Sequence, residues 1–156
     1  MRRNGTMIRL LDIKDVNTAE QVVQLQKAAY NIEAQLIHFY DIPPLMEKVS
    51  ELQACGEIFY GYFLNNTLEG IISYKVIEGT LDIHRVAVHP EYFKRGIAGS
   101  LLQFVEEHNS GIKRFIVCTG KENLPAVNLY LKNNYHLVKD IEIAKKVYLT
   151  EFEKLR

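Results

Sequence analysis

Three β-rich runs at 57–64, 68–77 and 81–88 are separated only by short turn sequences, Asn65-Asn66 and Glu78-Gly79-Thr80. Connections this short cannot cross a sheet, so the three runs must lie side by side as an antiparallel meander. Asn suits such turns because it tolerates positive φ. The third run then passes through Val86-Ala87-Val88-His89-Pro90 into a glycine-containing turn, Lys94-Arg95-Gly96-Ile97-Ala98-Gly99-Ser100, that opens a helix. A meander feeding a helix in this way calls for a mixed α/β (α+β) domain. Its sheet should be mostly antiparallel and flanked by helices.

The flanking segments fit that frame. Residues 6–13 read as an aliphatic strand. Asn17 or Thr18 is placed to cap a helix, with Gln21 at capping-box distance from Thr18. Over 19–39 the apolar residues Val22, Leu25, Ala29, Ile32, Leu36 and Phe39 recur at three- and four-residue steps, which predicts one buried stripe. Asp41-Ile42-Pro43-Pro44 stops that helix, and 45–52 predicts a shorter one. Further on, 96–108 predicts a helix, 113–119 a buried-type strand, 124–133 a helix with Pro125 in its first turn, and 135–151 one or two closing strands. The expected order is β-α-α-β-β-β-α-β-α-β in a single domain over 1–156. Residues 1–5 are expected to form a disordered tail.

Composition narrows the partners. The 156 residues carry 19 Lys+Arg and 19 Asp+Glu, a formal net charge of zero, which argues against a nucleic-acid-binding surface. Cys55 and Cys118 have no paired spacing, so neither a disulfide framework nor a zinc site is expected. His84 and His89 differ by an odd number of residues, and no metal pair is evident. Cys118, within an aliphatic run, reads as a core thiol. No apolar leader or bilayer-length run occurs, so the chain reads as cytoplasmic, with no membrane partner.

The turn at 94–100 carries the chemistry. Small residues at the start of a helix let a ligand approach the backbone, and the first-turn amides converge on one spot. The helix dipole makes that spot an anion site, and Lys94 and Arg95 add positive charge. A pyrophosphate is the natural guest. The pattern of a nucleotide P-loop is absent, and a dinucleotide fingerprint would need a parallel βαβ setting.

At these residues the sequence resembles the GCN5-related N-acetyltransferase (GNAT) superfamily. Phe93-Lys94-Arg95-Gly96-Ile97-Ala98 lies in register with its acetyl-CoA loop, [Gln/Arg]-x-x-Gly-x-[Gly/Ala], with Gly96 and Ala98 matching and Phe93 departing. The stretch Asn123-Leu124-Pro125-Ala126-Val127-Asn128-Leu129-Tyr130 resembles the family's Asn-x-x-Ala-x-x-Leu-Tyr, and Asn134-Tyr135 stands where Gly-Phe is usual. The resemblance implies the GNAT acyl-CoA N-acyltransferase fold and acetyl transfer from acetyl-CoA to a primary amine, without a metal.

It also implies roles for individual residues. Tyr130 matches the family's general acid near the CoA sulfur. Val86 and Val88 would offer backbone amides to the acetyl carbonyl and pantetheine. Lys94, Arg95, Gly96, Ile97, Ala98, Gly99 and Ser100 would form the cradle. Asn123 would contact the pantetheine arm, or simply cap a helix. Strand alternation puts 82, 84, 86 and 88 on one face, and the resemblance implies Asp82 or His84, which stand where relatives carry a Glu, as general base, with Glu33 a weaker candidate. Tyr30, His38, Phe39, Tyr40, Asp41 and Ile42 populate the expected acceptor region. Exposed strand edges near the C-terminus are compatible with a homodimer. A non-catalytic acyl-CoA-binding or regulatory module is the alternative.

Overall fold

The computed structural model describes residues 5–156. Strands β1 (Thr6–Leu11), β2 (Ile58–Leu64), β3 (Thr67–Ile77), β4 (Thr80–Val88), β5 (Arg114–Gly120), β6 (His136–Ala144) and β7 (Val147–Leu155) form one sheet in the order β1-β2-β3-β4-β5-β7-β6. Neighbours pair antiparallel throughout, except for β4 and β5, which are parallel. Parallel neighbours need a long crossover, and α4 (Ile97–His108) supplies it. With α5 (Leu124–Lys132), α4 covers one face of the sheet, while α1 (Val16–Ile37), α2 (Pro43–Met46) and α3 (Val49–Gln53) lie on the other. The mostly antiparallel sheet flanked by helices is therefore as expected.

Each face has its own core. Under α4 and α5, Tyr62, Leu81, Leu101, Phe115 and Phe152 are fully buried. Under α1 and α3 the corresponding residues are Val22, Leu52, Phe59 and Ile71. Burying each such side chain contributes about 1.5–3 kcal/mol, enough to pin helices to both faces.

Local details differ from the sequence expectation. Asp15, not Asn17 or Thr18, caps α1: its backbone is extended and its carboxylate accepts from the Thr18 amide at 3.0 Å and hydroxyl at 2.8 Å. The helix expected over 45–52 is broken, because Glu47 and Lys48 are extended between α2 and α3. The expected tail at 1–5 lies outside the described residues except for Gly5, whose carbonyl accepts from the Asn65 amide at 2.9 Å. The closing strands run on to Leu155, and β7 inserts between β5 and β6. No helix among the described residues is long and apolar enough to cross a membrane.

One irregularity decides the site. In the β3–β4 register Ser73 faces Arg85 and Tyr74 faces Ile83, so His84 is an extra residue in β4. A bulge of this kind places two successive side chains on the same side and resets the alternation beyond it. Leu81, Ile83, Val86 and Val88 consequently pack on the α4 side, whereas Arg85 and Ala87 face α1. The alternation expected for 82, 84, 86 and 88 is thus interrupted. Asp82 and His84 stand on the α1 side, and Val86 and Val88 on the other.

Candidate active site

The parallel pairing of β4 and β5 ends at Ile83–Val117, although β4 continues to Val88 and β5 to Gly120. Beyond that point the two strands diverge and open a cleft through the sheet. Two cavities occupy it. The larger, about 490 Å³, runs along the start of α4 and is lined by Val86, Val88, Phe93 and the turn from Lys94 to Gly99. The smaller, about 210 Å³, lies on the α1–α2 side and is lined by Phe39, Asp41, Ile42, His84 and Cys118 among others. Tyr30, Glu33, Val86, Asn123, Ala126 and Tyr130 line both, and so mark the junction.

The turn has an unusual backbone. Lys94 and Gly96 both adopt left-handed backbone, with φ of 64° and 74°. This geometry swings the chain so that the first amides of α4 face the cleft. Nothing lies within 4 Å of where a Gly96 Cβ would stand, and Gly96 lines the larger cavity. The amides of Ile97, Ala98 and Gly99 have no acceptor within the helix. Ser100, which the sequence reading included in the cradle, donates its amide to the Gly96 carbonyl at 3.0 Å and does not line the cleft. Its N–H closes the first helical turn and is not available to a ligand. Arg95 stands with its guanidinium 5.5 Å from the Tyr92 ring.

At the junction, the Tyr130 ring packs against Tyr135 and Phe152, at 5.9 and 5.6 Å between centroids. The α5 end that carries it is followed by Asn134 in left-handed conformation, φ 70°. Burial, reinforced by Tyr30, Glu33 and Cys118, pushes the Tyr130 phenol well above its ordinary range. Tyr30 is shifted the same way, first by burial and then by Glu33. Both phenols are neutral proton donors at physiological pH. The Asn123 side chain caps α5 by accepting from the Ala126 amide at 3.3 Å, and the residue lines both cavities.

The candidate bases separate clearly. Glu33, a weak candidate from sequence, is held at the junction by the Gly120 amide at 3.2 Å and the Thr119 hydroxyl at 3.4 Å. Burial outweighs these hydrogen bonds and raises its carboxyl above the usual 4.5. His84 lines only the smaller cavity, and its two ring nitrogens lie 3.4 Å from Asp82 and 3.5 Å from Glu57. Asp82 lines neither cavity, although burial also raises its carboxyl. Of the acceptor-region residues, Tyr30, Phe39, Asp41 and Ile42 line the smaller cavity; His38 ends α1 and Tyr40 is exposed. Cys118 is exposed, lines this cavity and is not in the core. Burial and the carboxylates of Glu151 and Asp82 push its thiol up to about 11, so it is no ready nucleophile.

Sequence reading missed Arg85. This buried guanidinium donates from Nε to Glu57 at 2.9 Å and from Nη2 to Glu57 at 3.2 Å. It also reaches Gln26 at 3.0 Å, and both carboxylate oxygens of Glu47. Burial disfavours its charge, but Glu47 and Glu57 more than reverse that effect. Gln26 in turn donates to Glu47 at 2.8 Å and to the Pro44 carbonyl at 3.3 Å, tying the wall formed by α2 to α1 and the sheet. The signal was a lone arginine within an otherwise apolar half-strand.

Residues 19–135, well over half of the chain, match the family model described as "Acetyltransferase (GNAT) family". The chain belongs to the GNAT acetyltransferase family. This GNAT chain is 38% identical over 146 residues to the UPF0157 protein YqkA of Bacillus subtilis, a match covering 94% of the chain but 43% of that relative. It therefore spans less than half of that protein. It is 26% identical over 140 residues to the spermidine N(1)-acetyltransferase of Thermoplasma acidophilum, covering 82% of this chain and 86% of that one. The crystal structure of the PaiA N-acetyltransferase of T. acidophilum in complex with coenzyme A superposes with a TM-score of 0.78 at 22% identity, over 97% and 99% of the two chains. That likeness bears on the fold. Among the described residues, no group of three or more His, Cys, Asp and Glu side chains is arranged to hold a metal ion.

Proposed function

We propose that this GNAT chain is an acetyl-CoA-dependent N-acetyltransferase that acetylates a primary amine by direct attack. The observation that carries this reading is the meeting of two cavities, one beside an anion-binding helix start and one beside the splayed sheet, at Glu33 and Tyr130. The coenzyme A complex of the structural relative and the activity named for the T. acidophilum relative support the same assignment. The open space above Gly96 and the free amides of α4 fit a pyrophosphate.

Acetyl-CoA supplies an acyl thioester whose carbonyl is the electrophile. Lys94, Arg95 and the amides of Ile97 to Gly99 hold its diphosphate, and the divergence of β4 exposes the Val86 and Val88 backbone to its arm. Glu33 takes a proton from the acceptor ammonium and leaves a nucleophilic amine. Its raised carboxyl suits that task, since a base is most effective when its pKa approaches the working pH. Tyr130, protonated because it is buried, gives its proton to the departing thiolate.

Thiol release from acetyl-CoA across a panel of amines tests the reading, and no release with any of them defeats it. Tyr130→Phe is expected to lower kcat about 100-fold or more with unchanged acetyl-CoA affinity. An unaltered kcat removes Tyr130 as the acid. Since Glu33 must be deprotonated to act and its carboxyl is raised, kcat/KM is expected to climb with pH along a limb centred above 4.5. Glu33→Gln should lower turnover by a similar factor and abolish that limb, while His84→Ala keeps it. A limb that survives in Glu33→Gln and vanishes in His84→Ala would return the base to His84.

A further inference from the structure

We infer that the acceptor is a primary amine on an apolar body with no carboxylate beside the nitrogen, so that free amino acids are excluded. The inference rests on the acetyltransferase reading and specifies its substrate. The acceptor cavity is small, about 210 Å³, and Ile37, Phe39, Ile42 and Pro43 give it apolar walls. A ligand held there is largely desolvated, and any charge it carries needs a partner.

The charges on the wall decide which sign is accepted. Among the described residues lining this cavity, only Arg85 and His84 can be cationic. A guanidinium has five N–H donors. In Arg85 the Nε donor goes to Glu57, the two on Nη1 go to Gln26 and Glu47, and the two on Nη2 go to Glu47 and Glu57. None is left for a ligand. Both nitrogens of His84 are likewise turned to carboxylates, Asp82 and Glu57. Two acidic residues, Glu33 and Asp41, also line the cavity. An ammonium entering it meets carboxylates, and a carboxylate entering it meets like charge with no free cation. Rejection by an unpaired buried charge is a strong form of discrimination.

Matched pairs test this: tryptamine against tryptophan, tyramine against tyrosine, cadaverine against lysine. Thiol release at pH 7.5 is read as kcat/KM, and binding of each compound to the CoA-loaded protein is read separately by calorimetry. The amine of each pair is expected to be favoured by about 100-fold or more in kcat/KM, a gap of about 2.7 kcal/mol. Equal or better use of the amino acids overturns the inference. If no compound supports thiol release, the acetyltransferase reading fails and binding alone decides. Tighter binding of the amines then sustains the charge argument, whereas equal binding, or binding of neither member, defeats it. Glu47→Ala, which uncovers N–H groups of Arg85, is expected to narrow the tryptamine–tryptophan gap at least tenfold in a variant shown by circular dichroism to be folded. An unchanged gap in that folded variant counts against Arg85 saturation as the cause.

Discussion

Arg85→Met is expected to destabilise the fold by about 3–5 kcal/mol, the usual cost of removing one partner from a buried ion cluster. The side chains of Arg85 and Glu57 are each only 7% exposed and that of Glu47 15%, so solvent screens the cluster little. Removing the guanidinium leaves two carboxylates inside the protein with Gln26, Ser73 and His84 as their remaining partners. For a chain of this length, a loss of that size lowers the melting temperature by roughly 6–20 °C. Thermal unfolding followed by circular dichroism measures it, and a drop under about 2 °C would show that the cluster is not desolvated in solution. Replacing Arg85, Glu47 and Glu57 together by apolar residues should restore much of the loss, because no unpaired charge remains. In both variants the Michaelis constant for the acceptor should rise more than that for acetyl-CoA, since the cluster anchors the α2 wall and not the α4 turn.

The second large effect is on cofactor affinity. Gly96→Glu is expected to weaken acetyl-CoA binding on the order of 100-fold or more, about 2.7 kcal/mol. The positive φ at Gly96 adds about 1–2 kcal/mol of strain for any side chain, and the new carboxylate would enter the space meant for a diphosphate. Gly96→Ala separates the two contributions, since it carries the strain without the charge and should lose much less affinity. Calorimetric titration with acetyl-CoA reads both. If the Glu variant binds within tenfold of the parent, the α4 turn is not the diphosphate cradle.

What could be read in advance follows from how local each signal is. The glycine turn before α4 was legible because glycine at a left-handed position and a helix start soon after a strand are properties of neighbouring residues. Asn123 as the cap of α5 was legible for the same reason, whereas Tyr130 was singled out by the resemblance of its motif to the family's. The reading assumed an unbroken alternation through β4, which would have put 82, 84, 86 and 88 on one face. The extra residue at His84 exists only in the pairing of β4 with β3, and no feature of the strand taken alone announces it.

Glu33 and Arg85 illustrate the same division. On α1, Glu33 is one acidic residue in a helix with an apolar stripe, and its value depends on docking against Thr119 and Gly120, more than eighty residues away. Arg85 became the centre of a buried ion cluster only when Gln26, Glu47 and Glu57 converged on it from three separate segments. The amino-acid order by itself determined the elements, the mixed sheet and the glycine turn before α4, because backbone propensity, periodicity and capping act over a few residues. Only the tertiary structure decided which carboxylate faces the junction and which cation is silenced. Burial and pairing are set by long-range contacts, and those contacts govern the charge a buried group can carry.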